Sequence, residues 1–283
     1  MKIYLQQLIA FYKNPTDERI KDYSIKKNIV YIIYTFLLDF ILCLPILLLM
    51  YVLELLNLSP KIIEKLDYRT ETLPFIIIFS IFFVPILEEI IFRFPLRRNS
   101  LFAKFITEKQ WKNIFRYLVY SIPLLFGFVH LTNYNQYNLQ LILLSPILIG
   151  SQTIGGYLYT FMRVRFNLIS TIVCHIFWNF VPITMGIAYS NFSKPYESTT
   201  SDYSVTIKYH EYFTPEKQSL TIDSANGWIY AIDSKQYSIN HLVDTICLTE
   251  RLDTDFIIDF NLKSKKGITK SQFLEIIKKY DEE

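Results

Sequence analysis

Between Asn28 and Tyr189 the chain carries five apolar blocks, and their spacing constrains its fold more than anything else in the sequence. They run over Ile29–Leu56, Leu73–Phe94, Tyr117–Leu131, Leu139–Met162 and Phe166–Tyr189. A helix rises ~1.5 Å per residue, so ~20 apolar residues cross the hydrocarbon core of a bilayer. The third block is short and must borrow polar flanking residues. The first is overlong and holds Pro45, which fits a tilted or kinked helix, or one with an interfacial tail. Backbone groups in lipid must be satisfied internally, and blocks of this length do so as helices. The expected fold class is therefore an all-α polytopic membrane helix bundle of about five to six transmembrane helices, followed by a small C-terminal α+β domain. The hydrophobic share of 51% is close to that of a globular chain. Its concentration in one stretch is what matters.

The expected domains are a cytoplasmic amphipathic N-terminal arm (1–28), a membrane-embedded domain (29–190) and a small soluble α+β domain (191–283). The arm lacks the apolar core of a secretory signal, so the first span is the expected insertion signal. The arm holds Lys2, Lys13, Arg19, Lys21, Lys26 and Lys27. The loop after the second block holds Arg97, Arg98, Lys104, Lys109, Lys112 and Arg116, and the turn between the last two blocks holds Arg163 and Arg165. The positive-inside rule places all three in the cytoplasm. Five spans leave the C-terminal region outside, and a sixth span or a re-entrant block reverses that. Leu101, Phe102, Phe105, Ile106, Ile114 and Phe115 recur at near-helical spacing among the lysines of the 97–116 loop, a pattern for a helix lying in the interface.

Beyond Asn191 the runs Val205–Tyr209, Trp228–Ile232 and Phe256–Phe260 predict strands, and Ile239–Leu248 and Lys270–Lys279 predict amphipathic helices. His210-Glu211 lacks the second histidine of a zincin motif and reads as a solvated strand edge. Cys43, Cys174 and Cys247 are widely separated and imply no disulfide framework. A net charge of +3 is too small to suggest a nucleic-acid partner.

Ionisable groups inside the apolar blocks are where chemistry is expected, because each costs roughly 2.5–3.5 kcal/mol to insert. Glu89 and Arg93 are four apart and can pair on one helix face. Glu88 lies about 100° away and is free to face the bundle interior. His175 and Asn179 are four apart on a stripe shared with Thr171, and Phe126 lies one turn from His130. At ~1.5 Å per residue, Glu88 and His175 each lie roughly 14 Å from the cytoplasmic ends of their helices, and His130 roughly 20 Å from its own. The three groups thus share a layer. A lone intramembrane histidine is more often a hydrogen-bonded packing residue. Asp39 in the first block is read in that way, as an interhelical group paired with Arg93 or another cation.

Glu88-Glu89-x-x-x-Arg93, then Phe126-x-x-x-His130, then His175-x-x-x-Asn179 resemble, in order and spacing, the motifs of the CPBP family of intramembrane endopeptidases (CAAX prenyl protease and bacteriocin-processing, or Abi). Phe92 before Arg93, Gly127 and Leu131 around His130, and Gly155-Gly156-Tyr157-Leu158-Tyr159 ahead of the last motif agree with it. The resemblance covers roughly Leu73 to Pro182. Phe94 stands where the family commonly has glycine, the helix count is below the family's usual set of about eight, and the region beyond Asn191 is outside the pattern.

The resemblance implies hydrolysis of peptide bonds in membrane-associated protein or peptide substrates. The catalytic set carried over is Glu88, Glu89, Arg93, His130, His175 and Asn179. Glu88 is the expected base on water, His130 holds that water, His175 and Asn179 donate to the oxyanion, and Glu89 with Arg93 fixes the geometry of the helix. No cofactor is required in that scheme. In the other, Glu88, His130 and His175 ligate a divalent metal such as zinc, since two histidines and a carboxylate form an accepted catalytic set. The expected partners are the bilayer and the substrate, and the expected location is multi-pass in a cell membrane, the bacterial cytoplasmic membrane. The competing classes are a non-catalytic immunity or scaffold protein that keeps the fold, and a proton or ion transporter. The transporter would show internal repeats, and none is visible.

Overall fold

The computed structural model describes residues 1–56, 58, 71–99, 102–133, 138–247, 252 and 255–282. The chain divides into two compact units, residues 1–66 with 79–180, and residues 67–78 with 181–283.

In the first unit, α1 (Lys2–Lys13) precedes a long helix α2 (Ile25–Leu55) that contains Pro45. The second apolar block forms one helical rod built in sections: a first turn α3 (Leu73–Phe75), a π-helical stretch Ile76–Phe83, α4 (Val84–Arg93) and a 3-10 turn Phe94–Leu96. Then come α5 (Glu108–Val129), α6 (Leu139–Leu148), α7 (Gly150–Arg165) and α8 (Leu168–Phe192). Among the described residues, five helical segments are long and apolar enough to cross a membrane: Ile25–Leu53, Leu73–Leu96, Glu108–Asn133, Leu139–Arg165 and Leu168–Phe192. Their outer faces leave Ile33, Leu37, Ile41, Leu48, Ile78 and Leu125 exposed, an apolar surface that suits lipid and not water. This is a multi-pass membrane protein.

Two of these helices differ from the sequence expectation. The lysine-rich 108–116 segment is not a separate interfacial helix but the first turns of α5. A capping box starts the helix there: the Thr107 side chain takes the Gln110 N–H, and the Gln110 side chain takes the Thr107 N–H. Leu101 of the expected interfacial pattern lies outside the described residues. The fourth block is not one helix. It breaks at Ile149, and α7 restarts at Gly150.

α7 is the central rod. It packs on α5 and α2, and its residues Leu158, Tyr159, Phe161, Met162 and Val164 are all buried. Glycine makes that approach close. A Cβ added at Gly156 would lie 3.1 Å from Cα and 3.2 Å from the carbonyl oxygen of Pro123 on α5. The N-terminal arm docks on the same core. Tyr4 Oη is hydrogen-bonded to Thr35 Oγ1 on α2 at 2.9 Å, and its ring stands edge-on to Phe161 at 5.7 Å.

The second unit contains a five-stranded antiparallel sheet in the order β1-β2-β5-β4-β3, formed by β1 (Tyr196–Thr199), β2 (Tyr203–His210), β3 (Ser219–Ala225), β4 (Trp228–Ser238) and β5 (Ile257–Ile268). α9 (Ile239–Cys247) and α10 (Lys270–Glu282) bury Leu242, Val243, Phe273 and Ile277 against Ile207, Ile232, Phe260 and Leu262. The three expected strands and both helices are present. Leu248, the expected end of the first helix, lies outside the described residues. β1 and β3 were not expected, because as edge strands they bury one face weakly and carry a faint apolar alternation. The β3–β4 hairpin turns at Asn226 and Gly227, both in the left-handed region that this turn demands. His210 lies past the stretch of β2 that β1 covers, Ser204–Ile207, yet it is only partly exposed: it pairs with Ile257 of β5, and its Nε2 is 3.1 Å from Asp259 Oδ2 on that strand.

Candidate active site

Glu88 projects from α4 so that its carboxylate lies between two imidazoles. Glu88 Oε1 is 3.7 Å from His130 Nε2 and Glu88 Oε2 is 3.5 Å from His175 Nε2. His130 stands where α5 ends, and His175 lies mid-way along α8. Three helices far apart in sequence thus present an acid and two bases to one another.

Each imidazole is oriented by its other nitrogen. His130 Nδ1 is 2.7 Å from the Phe126 carbonyl oxygen, one turn back in α5. A carbonyl only accepts, so Nδ1 carries the proton, and in the neutral ring Nε2 offers a lone pair toward Glu88. His175 Nδ1 is 3.0 Å from Glu89 Oε1. Glu89 also faces Arg93, with Oε2 3.6 Å from Nε, and both side chains are fully buried. An ionised carboxylate accepts, so His175 too is protonated on Nδ1 and turns Nε2 toward Glu88. Adjacent glutamates thus occupy different environments. Glu88 retains 23% side-chain exposure beside the imidazoles, while Glu89 is sealed behind His175 with its cation.

Aromatic rings hold these groups in place. The Phe126 ring stands edge-on to His130 at 4.7 Å and to His175 at 5.9 Å, and the Arg93 guanidinium lies over its face at 4.1 Å. Tyr159 of α7 lies 5.6 Å from the His175 ring and donates its hydroxyl to Asp39 Oδ2 at 2.9 Å. Among the described residues Asp39 therefore pairs with a hydroxyl and with the Cys43 thiol, not with Arg93 or another cation as expected.

The structure brings Glu88, Glu89, Arg93, His130 and His175 together through contacts of 3.0–3.7 Å. Asn179 lies one turn further along α8 and makes a different contact. Its Nδ2 donates to the Ser80 carbonyl oxygen at 2.8 Å. Two residues escaped the sequence reading. Arg163, read only as a topology signal, is buried and donates from Nε to the Arg93 carbonyl at 2.8 Å, closing the C-terminus of α4. Tyr159 was visible only as part of the Gly155–Tyr159 stretch, with no sign that its hydroxyl would reach Asp39.

The donor types, two imidazoles and a carboxylate, are those of a zinc site, with each Nε2 facing its own oxygen of Glu88; among the described residues no group of three His, Cys, Asp or Glu side chains has the full arrangement of a metal site. The geometry is that of an acid–base cluster in a membrane helix bundle.

Residues 70–181, the segment that holds every one of these groups except Asp39 and Cys43, match the family described as Rce1-like, type II CAAX prenyl endopeptidase. That segment is a domain of this family, and membership implies an intramembrane protease. Searches among curated proteins and solved structures give no match.

Proposed function

We propose that the protein hydrolyses peptide bonds of membrane-associated proteins or peptides, with Glu88 as the base that activates water. The carrying observation is the position of the Glu88 carboxylate between two imidazole Nε2 atoms at 3.5 and 3.7 Å. Those separations exceed a direct hydrogen bond, and each leaves room for a shared proton on a water. In the neutral rings both Nε2 atoms are acceptors, as is the carboxylate. One water donates to Glu88 and to one imidazole, and the Nε2 of the other imidazole takes a second water or a proton of its own.

The chemistry then follows from the chain's own groups. Glu88 takes a proton from the water as the water oxygen attacks the scissile carbonyl. His130 holds the water from the opposite side, its ring direction fixed by the Phe126 carbonyl. His175 is held at Nδ1 by the Glu89 carboxylate, and with a proton drawn from solvent on Nε2 before the attack it donates a hydrogen bond to the oxyanion, the proton staying on the ring throughout. Asn179, one turn away, supplies a neutral amide donor to the same oxyanion. Glu89 with Arg93 holds α4 and His175 in register. Glu88 then returns its proton to the leaving amine.

The substrates fall within a broad class, membrane-associated proteins or peptides, and nothing in the chain favours a prenylated one. The proposed location is the bacterial cytoplasmic membrane, with the basic 97–107 connection on the cytoplasmic side. Glu88→Gln tests the assignment. The variant should insert and melt as the wild type while losing cleavage of membrane peptides, read by comparing the membrane peptidomes of cells carrying each form. A purified Glu88→Gln protein with normal turnover would remove Glu88 as the base.

A further inference from the structure

The hydrogen bond from Asn179 to Ser80 has an origin in the sequence. Residues Ile76–Phe83 are π-helical, a pattern in which an N–H reaches the carbonyl five residues back, although at its first residue the Ile76 N–H still reaches Thr72, four back. If that ladder continued, the donor to the Ser80 carbonyl would be the N–H of residue 85. Residue 85 is a proline and has none. The π stretch gives way to α4 at this point, with Pro85 in its first turn. Ser80 is buried, with only 6% exposure, so its carbonyl oxygen has no solvent to turn to and an unpaired state would be costly. Asn179 Nδ2, arriving from α8 at 2.8 Å, supplies the missing donor.

We infer that Pro85 is a positioning residue: by withholding its own N–H it reserves the Ser80 carbonyl as the anchor of Asn179. A primary carboxamide is planar and carries two N–H donors on one nitrogen. Tying one of them to Ser80 settles which way the amide is flipped and fixes the direction of the second. A donor whose direction is set before the reaction is worth far more to a developing oxyanion than one that must be reoriented. The functional half of the inference rests on the protease reading. The anchor itself does not, since it is a property of the π-helical stretch, the start of α4 and α8 alone.

The test is a double-mutant cycle on the full-length protein with Pro85→Ala, Asn179→Ala and the two combined. Alanine at 85 provides an N–H that competes for the Ser80 carbonyl. Pro85→Ala should lower kcat about tenfold while KM stays within about twofold, because the chemistry is intact and only a donor is misdirected. The combined variant should be no slower than Asn179→Ala alone. In thermal melts, Asn179→Ala should lower Tm by about 2–4 °C when residue 85 is proline and by clearly less when it is alanine. Wild-type kcat in Pro85→Ala, or additive effects in both readouts, overturns the inference. If Pro85→Ala does not fold, Asn179→Asp decides. Because a protonated aspartic acid can donate to the Ser80 carbonyl, the deciding variant is read beside Asn179→Leu, which keeps the size and has no donor at all: Asn179→Leu must melt below the wild type, and equal melting overturns the anchor. A wild-type protein that cleaves nothing defeats the protease reading, and the coupling in Tm then still decides the anchor.

Discussion

His175 Nδ1 lies 3.0 Å from Glu89 Oε1, and this contact makes the pair of neighbouring glutamates chemically unlike. Glu89 is committed to His175 and Arg93 in full burial, whereas Glu88 meets both histidines at a partly open surface. Removing the charge of Glu89 leaves the Arg93 guanidinium buried without its anion. Breaking a buried pair in this way costs about 3–5 kcal/mol. Glu89→Gln should therefore lower Tm strongly and lower activity with it, while Glu88→Gln abolishes cleavage with little change in Tm. Melting curves of both variants in the same detergent check this contrast. Equal stability of the two would mean that Glu89 is not the anion of a buried pair.

Metal removal separates the two forms of the chemistry. Glu88 faces each imidazole through a different oxygen, which suits a base between two water-holding groups. Cleavage should therefore survive exhaustive chelation followed by exchange into metal-free buffer. Activity lost on chelation and restored only by added zinc would make Glu88, His130 and His175 ligands instead.

Most of the site was legible because membrane burial makes polar residues conspicuous. Glu88, His130 and His175 stand out from their apolar blocks, and helical spacing placed Glu89 with Arg93 and His175 with Asn179 on shared faces. Groups whose meaning depends on a tertiary partner were not legible. Arg163 closes α4 only because α7 brings it to the Arg93 carbonyl, and Asp39 meets Tyr159 across separate helices. The edge strands β1 and β3 were missed for a related reason: strands that bury little carry little periodicity. The start of α5 was misread because the Thr107–Gln110 capping box lies ahead of a lysine-rich stretch that resembles an interfacial helix.

Gly156 sets the distance between α5, which ends at His130, and α7, which carries Tyr159. A methyl group at this position meets Pro123 main-chain atoms at 3.1–3.2 Å, and backbone cannot rotate away as a side chain can. Gly156→Ala should destabilise by about 1–3 kcal/mol, the usual cost of overpacking, offset in part by the better helix propensity of alanine. Gly156→Leu should prevent a stable fold. Denaturation in mixed micelles gives the order, and a Gly156→Leu protein as stable as the wild type would show that α5 and α7 are not in close contact.

The second unit carries its own pH signature. Burial alone would raise the Asp259 carboxyl, but the hydrogen bond with His210 and the Gln236 N–H outweigh it and hold the group below its ordinary 3.8. A depressed carboxyl contributes stability that is fully present above the unfolded value and is lost as pH falls through the folded one. The stability difference between wild type and Asp259→Asn should therefore be constant above about pH 5 and shrink as pH falls below about 4. Chemical denaturation of both full-length proteins across that range, followed through the sheet signal, reads the difference directly. A gap that stays constant down to acid pH would mean that the contribution of Asp259 is packing and not charge.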